Sequence, residues 1–252
     1  MAHDPFEIIA DYYDLELGDY QEDIPLYDNL ARRTEMPVLE LGVGTGRVAI
    51  PLAESGHSVV GIDSSQAMLA VARGKADRRL RGSLQLVLSE MTGFSFDMSF
   101  GLIFCALGGF LHLNSQQGQL DTLGRARRHL APDGLLALDL PNPEAVEWEP
   151  GCQGLTLEWT RERQDGTMVS KFVSTEADRA RQVQRVTHIY EEWHSAGSRR
   201  RLAAFELRYV HRYEMELLLK QAGLKLEGAY GSYDLEPYES DSPRMISVAS
   251  RA

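Results

Sequence analysis

Val38-Leu39-Glu40-Leu41-Gly42-Val43-Gly44-Thr45-Gly46 sets three glycines at alternate positions behind an apolar run and ahead of residues 48–53, whose spacing predicts a helix. A glycine turn between strand and helix lets the chain take positive φ and lets a ligand approach the main chain closely. Taken alone, the pattern also describes an ordinary strand-to-helix loop. Dinucleotide sites use a similar turn, but G-x-G-x-x-G counted from Gly42 calls for a small residue where Arg47 stands, and Glu40 would sit awkwardly beside a pyrophosphate. The lysine followed by Ser or Thr that grips phosphates is absent. Asp63 closes the next expected strand, Ser58–Asp63, at a distance that suits a carboxylate bonding both hydroxyls of an adenosine ribose. An aspartate there also serves as a helix cap, and the glycine turn before it favours the ribose role.

Outward from this unit, short branched apolar runs alternate with helical patterns, which predicts a parallel sheet with crossover helices. Strands are expected at residues 37–41, 84–88, 102–106 and 135–140. Ser64 and Ser65 suit the N-cap of a helix bearing Met68, Leu69 and Ala72 on one face. A long helix should run over residues 115–129 and end at the turn Pro132-Asp133-Gly134. After Pro141-Asn142-Pro143 the pattern changes to extended segments at 155–159, 168–175, 184–193 and 202–211, separated by Gln164-Asp165-Gly166 and Ser195-Ala196-Gly197-Ser198. That reads as an inserted antiparallel meander. A helix over 213–222, closed by Gly223, and strands at Leu224–Tyr230 and 245–249 complete the chain. The expected division is a cofactor-binding domain with an N-terminal lid, residues 1-143 and 212-252, and an inserted subdomain, 144-211, that covers substrate, pairs two copies, or both.

Glu40 to Gly46 together with Asp63-Ser64-Ser65-Gln66-Ala67-Met68-Leu69 resemble the class I S-adenosylmethionine-dependent methyltransferases, specifically the small-molecule branch, and the resemblance runs from about Tyr12 to the C-terminus. It implies an α/β fold: a Rossmann-like, doubly wound, seven-stranded sheet with its last strand antiparallel. It places Glu40, Gly42, Gly44 and Gly46 at the methionine moiety of S-adenosyl-L-methionine, Asp63 at the ribose, and Ser64 and Met68 beside the adenine. Glu90-Met91 match the acid and apolar residue that face the adenine, with glutamate for the commoner aspartate. Gly101 stands where an aspartate is usual at the start of the fourth strand. Cys105-Ala106-Leu107 would pass under the methionine amino group. Tyr12, Tyr13 and Tyr20 lie in an aromatic segment that folds over the cofactor in methyltransferases of similar appearance.

Methyl transfer from a sulfonium is an in-line displacement in which the protein aligns nucleophile, methyl and sulfur and excludes water. An obligatory catalytic side chain is not required by that chemistry. His112, after the fourth strand, is the leading general-base candidate, and Tyr13 is the second catalytic candidate. A hydrogen-bonded structural histidine is the competing reading. Tyr209 and His211 share a strand face with Phe205 and Leu207, opposite Glu206, Arg208, Val210 and Arg212, and one of these faces should cover the pocket. With Tyr233 from the final hairpin, Tyr209 and His211 are the substrate-contact candidates.

The 252 residues, 43% hydrophobic, suffice for one substantial core without metal or disulfide help. The two cysteines, Cys105 and Cys152, form no zinc or redox pair, and no metal site is expected. No run is long and apolar enough to cross a bilayer, and the start lacks a secretory pattern, so a cytoplasmic enzyme is expected. Net charge is −11, with basic residues clustered only at Arg78-Arg79-Arg81, Arg125-Arg127-Arg128 and Arg199-Arg200-Arg201, which argues against a nucleic-acid substrate, while the small-molecule acceptor is what the resemblance implies. Two other functions compete: an NAD(P)-dependent oxidoreductase, disfavoured by Glu40, Arg47 and the lack of a Tyr-x-x-x-Lys pair, and a noncatalytic S-adenosylmethionine-binding regulator.

Overall fold

The computed structural model describes residues 4–76, 80–143, 151–152, 154–194 and 197–252, the pair 151–152 by main chain alone. Arg78 and Arg79 of the first basic cluster and Ser195 and Ala196 of the last expected turn lie outside the described residues. Three N-terminal helices come first: α1 (Phe6–Ile9), α2 (Tyr13–Leu17) and α3 (Ile24–Arg32). Then follow β1 (Val38–Leu41), α4 (Ala49–Glu54), β2 (Ser58–Asp63), α5 (Gln66–Lys75), β3 (Ser83–Leu88) and β4 (Phe100–Cys105). A 3-10 turn (Gly109–His112) leads to α6 (Gln116–His129) and β5 (Leu130–Pro141). Every residue of β1 and β4 is buried, as strands covered on both faces require.

A second sheet is formed by β6 (Gly151–Cys152), β7 (Thr156–Glu162), β8 (Met168–Asp178), β9 (Val183–His194) and β10 (Gly197–Arg208), all paired antiparallel. The chain then returns through α7 (Arg212–Gln221), β11 (Leu224–Tyr230) and β12 (Arg244–Arg251). The first sheet has the order β11-β12-β5-β4-β1-β2-β3, and β12 runs antiparallel to both neighbours. Strand order reverses between β1 and β4, so a crevice opens beyond their carboxyl ends, where ligands bind in open α/β sheets.

Three local expectations differ from the structure. Pro132-Asp133-Gly134 lie within β5, which bulges between the pairs Phe100–Leu130 and Leu102–Leu135. Turn residues there kink a strand already held by its neighbour. Ser65 occupies the N-cap position of α5, but its side chain makes no capping bond; Asp63 Oδ1 instead accepts from the Ser65 N–H at 2.8 Å. The strand expected to reach His211 ends at Arg208, because Tyr209 exchanges main-chain and side-chain bonds with Gln182 and His211 becomes the residue before α7.

The N-terminal helices bridge the two sheets. On one side Arg47, just past the glycine turn, forms a bidentate pair with buried Asp23 at 2.7 and 2.6 Å and also donates to the Tyr20 carbonyl oxygen. Asp14 accepts from Thr45 at 2.6 Å and from Lys75 at 2.8 Å. On the other side, Lys171 of β8 holds Glu16, Arg163 donates to the Asp11 carbonyl oxygen, and Tyr12 stacks on Tyr190 at 3.9 Å while donating to Glu192. Ile8, Ile9, Tyr12, Met68, Val169 and Tyr190 form the apolar layer between these parts.

Arg47→Met strands a buried carboxylate at Asp23. Urea unfolding should show a loss of about 3–5 kcal/mol for the single variant, largely recovered in Asp23→Leu/Arg47→Met.

Candidate active site

The crevice is a cavity of about 320 Å³ above β1, β2 and β4. Its first wall is the glycine turn. Gly42 and Gly44 take φ of +71° and +54°; a Cβ at Gly42 would come within 2.8 Å of the Met91 methyl, while one at Gly44 would meet nothing within 4 Å. The turn therefore offers open main chain to a ligand at Gly44. Asp63 sits against it, with Oδ2 accepting from the Gly44 N–H at 2.8 Å. Burial raises the Asp63 pKa, opposed by the N–H groups of Ser65 and Gly44. With one N–H on each oxygen, the carboxylate keeps acceptor capacity on both.

Ser64, Met68, Glu90 and Met91 continue the wall on one side, and Tyr13 of α2 closes it above. Burial pushes the Tyr13 hydroxyl up to about 12, with Arg47 pulling the other way, so it stays a protonated donor at neutral pH. The far end is built by Phe6, His112, Leu113, Asn114, Phe205 and Glu206. His112 lies edge-on to Phe6 at 5.0 Å and tilted against Phe205 at 5.2 Å. Part of the ring faces the open cavity, yet the protein enclosing it pushes its pKa down to about 4. It is neutral at physiological pH.

The floor is the turn after β4, which includes Ala106, Leu107 and Gly109. Leu107 has a φ of +44° and Gly108 one of +74°. A leucine in the left-handed region costs roughly 1–2 kcal/mol, so something must hold it. Buried Asp139 of β5 does so: its Oδ2 accepts from the Leu107 N–H at 3.0 Å and its main-chain oxygen from the Gly108 N–H at 2.8 Å.

Of the candidates named from sequence, Tyr13, Gly42, Gly44, Asp63, Ser64, Met68, Glu90, Met91 and His112 line this cavity. Glu40 lies beneath the turn, Cys105 is buried under Gly109, and Gly46 packs on Ile50. Tyr12 is turned toward Tyr190, and Tyr20 lies under the Arg47 guanidinium and beside Tyr233. Tyr233 donates to Asp139, one layer behind the floor. Tyr209 and His211 pack on each other at 5.5 Å near the start of α7 and are not on the wall. Sequence reasoning missed Phe6 and Asn114, and left Phe205 and Glu206 among unresolved strand faces. Ala106 and Leu107, which the sequence reading set under the methionine amino group, lie in the floor, whereas Asp139, an acid inside the apolar strand 135–140, was not singled out.

A family described as a methyltransferase domain matches residues 38–134. Cypemycin N-terminal methyltransferase from a Streptomyces species is 31% identical over 217 residues, covering 85% of this chain and 82% of that one. The chain belongs to the S-adenosylmethionine-dependent methyltransferases of small-molecule type. The structure of the CcbJ methyltransferase from Streptomyces caelestis superposes on this methyltransferase with a TM-score of 0.84 at 29% identity, over 99% of this chain and 98% of that one. A dTDP-3-amino-3,6-dideoxy-alpha-D-glucopyranose N,N-dimethyltransferase from Streptomyces fradiae is 31% identical over 139 residues, 52% of each chain.

The methyltransferase's residues fit S-adenosylmethionine. Gly44 leaves room, Asp63 keeps acceptors for a diol, and Glu40 Oε2 is buried without a hydrogen-bond partner, a site an ammonium group would satisfy. Burial holds the Glu40 pKa well above the usual carboxylate range, against the opposing pull of Arg47. Ionisation of such a group weakens the fold: its contribution is present below the unfolded pKa and is lost as pH rises. Glu40→Gln should therefore raise Tm by about 2–4 °C at pH 7, a gain that vanishes near pH 4. The same variant should bind S-adenosylmethionine at least about tenfold more weakly by calorimetry.

Proposed function

We propose that the enzyme methylates an amine nitrogen on a small acceptor held between Phe6, His112, Phe205 and Glu206. The observation that carries this reading is the chemistry of the far end of the cavity. It offers a carboxylate at Glu206, apolar rings, and a histidine whose pKa is pushed down to about 4. A hydroxyl acceptor needs a base strong enough to share its proton in the transition state, and a base this weak gives little help. An amine needs only its neutral form, and the Glu206 carboxylate favours the approach of its cationic form. The relatives named for N-terminal and amino-sugar N-methylation support the same choice.

In this reading Gly42, Gly44, Asp63, Ser64, Met68, Glu90 and Met91 hold the cofactor, with Glu40 acting from beneath. When bound, S-adenosylmethionine supplies an electrophilic methyl on a positively charged sulfur. An acceptor nitrogen aligned by Phe6, His112, Phe205 and Glu206 would be placed for in-line displacement of that methyl from sulfur. His112 accepts a hydrogen bond from the amine N–H and orients its lone pair; because it is neutral, it does not oppose the sulfonium charge. Tyr13 and the Phe6 end of α1 exclude water from above. The nitrogen's surplus proton leaves to solvent.

The reading also takes residues 1-143 and 212-252 as the cofactor domain, with 144-211 as the cover. It places the enzyme in the cytoplasm, where S-adenosylmethionine is made, and keeps nucleic acids off the list of acceptors, in line with the net charge of −11. Among the described residues no helix is long and apolar enough to cross a membrane. Two copies pair through the outer face of the second sheet, where Leu157, Phe172, Ile189 and Leu202 align across four strands and both leucines are 53% exposed. Sedimentation should then give a dimer that Leu202→Glu converts to monomer.

The test of the reaction is S-adenosylhomocysteine formation with glycine, a 3-amino-3,6-dideoxy sugar nucleotide and an N-terminally free peptide, each beside its hydroxy analogue. At least one amine should turn over, its hydroxy analogue should be inert, and His112→Phe should lower kcat about 10–100-fold. Turnover of a hydroxy analogue in preference to its amine would overturn the assignment to nitrogen.

A further inference from the structure

Asp139 is fully buried and stands outside the cavity, yet four bonds converge on it. Two hold the consecutive left-handed residues Leu107 and Gly108, as described above. The third comes from the Tyr233 hydroxyl, 3.1 Å from Oδ2, and the fourth from Arg244 Nε, 2.6 Å from Oδ1. Arg244 also lies over the Tyr233 ring, 5.2 Å from its centroid. Tyr233 in turn meets Tyr20 edge-on at 6.5 Å, and the Tyr20 main chain is held by Arg47 beside the glycine turn. The floor of the cavity, the loop between β11 and β12, and the N-terminal segment are thus joined at one carboxylate.

The floor has little freedom to adopt its shape by other means. Gly109 donates to the Ala106 carbonyl oxygen at 3.0 Å and packs so closely that a Cβ there would come 2.9 Å from Cys105 Sγ. A leucine released from Asp139 would relax toward negative φ and tilt the Ala106–Leu107 main chain that faces the ligand.

We propose that Asp139 is a positioning residue for S-adenosylmethionine: it holds Leu107 left-handed so that the turn after β4 forms a binding floor, and it couples that floor to the final loop through Tyr233. This goes beyond the acceptor reading and does not depend on which atom is methylated. The role is separable from simple support of the fold, because a glycine at position 107 takes positive φ unaided.

The experiment is calorimetric titration of S-adenosylmethionine into the full chain and four variants: Asp139→Asn, Leu107→Gly, the two combined, and Tyr233→Phe. Asp139→Asn should weaken binding about tenfold, the factor that corresponds to left-handed strain at one residue. Leu107→Gly should cost about threefold or less, and adding Asp139→Asn to it should cost little more, a coupling that a purely supportive role would not show. Tyr233→Phe, which leaves the ion pair with Arg244 intact, should fall between wild type and Asp139→Asn. If Asp139→Asn does not fold because Arg244 is left buried and unpaired, Asp139→Asn/Arg244→Met carries the same comparison. Losses that simply multiply in the combined variant, or binding by Asp139→Asn within about twofold of wild type, would overturn the proposal.

Discussion

The pairing of Arg47 with Asp23 decides where the N-terminal segment lies, and most of the cavity follows from that. Arg47, the residue immediately after Gly46, is nearly enclosed by protein, and its guanidinium reaches back over the turn to the fully buried Asp23 carboxylate. Burial alone would lower the Arg47 pKa, but the Asp23 hydrogen bonds hold it above the ordinary arginine value. Once this pair forms, α2 lies across the crevice, Tyr13 faces the cavity, and Asp14 meets Thr45 and Lys75. The second sheet then has a surface to pack on. Its Lys171, Arg163 and Arg201 each bind a group on the N-terminal segment rather than on the first sheet.

The cofactor half was legible because its chemistry is written in main-chain requirements. Three alternating glycines, an acid before them and an acid closing the next strand leave few other structures for residues 38–63. The same clarity extends to the parallel sheet, since alternation of apolar runs with helices calls for parallel pairing, whereas the order of the strands was not legible. The acceptor half was less legible. Alternation in β10 identifies two faces but not which one meets the cavity, and Phe205 and Glu206, on opposite faces, both line it. Tyr209 and His211 fell off the cavity wall when the strand stopped at Arg208. The tyrosines of the N-terminal segment were placed together by sequence, but only Tyr13 lines the cavity; Tyr12 is drawn to Tyr190 and Tyr20 to Arg47.

Buried charge in this protein is concentrated where segments far apart in sequence must meet. Asp23 with Arg47, Lys171 with Glu16 and Asp139 with Arg244 each join an N-terminal or central element to a remote one. Such pairs add little net stability over apolar packing, but breaking one leaves an uncompensated charge, so they specify arrangement more than they strengthen it. The distribution matches a cavity assembled from loops whose own apolar content would not fix their mutual positions.

Phe6 and Phe205, which close on His112 from two sides, come from opposite ends of the chain, whereas the glycine turn, Asp63 and Met91 lie within one continuous stretch. During synthesis the stretch that forms the cofactor half leaves the ribosome long before β10 exists. The acceptor chamber is therefore completed later than the glycine turn and Asp63, and a chain halted before β10 would lack both that chamber and the Tyr233 and Arg244 that brace the cavity floor.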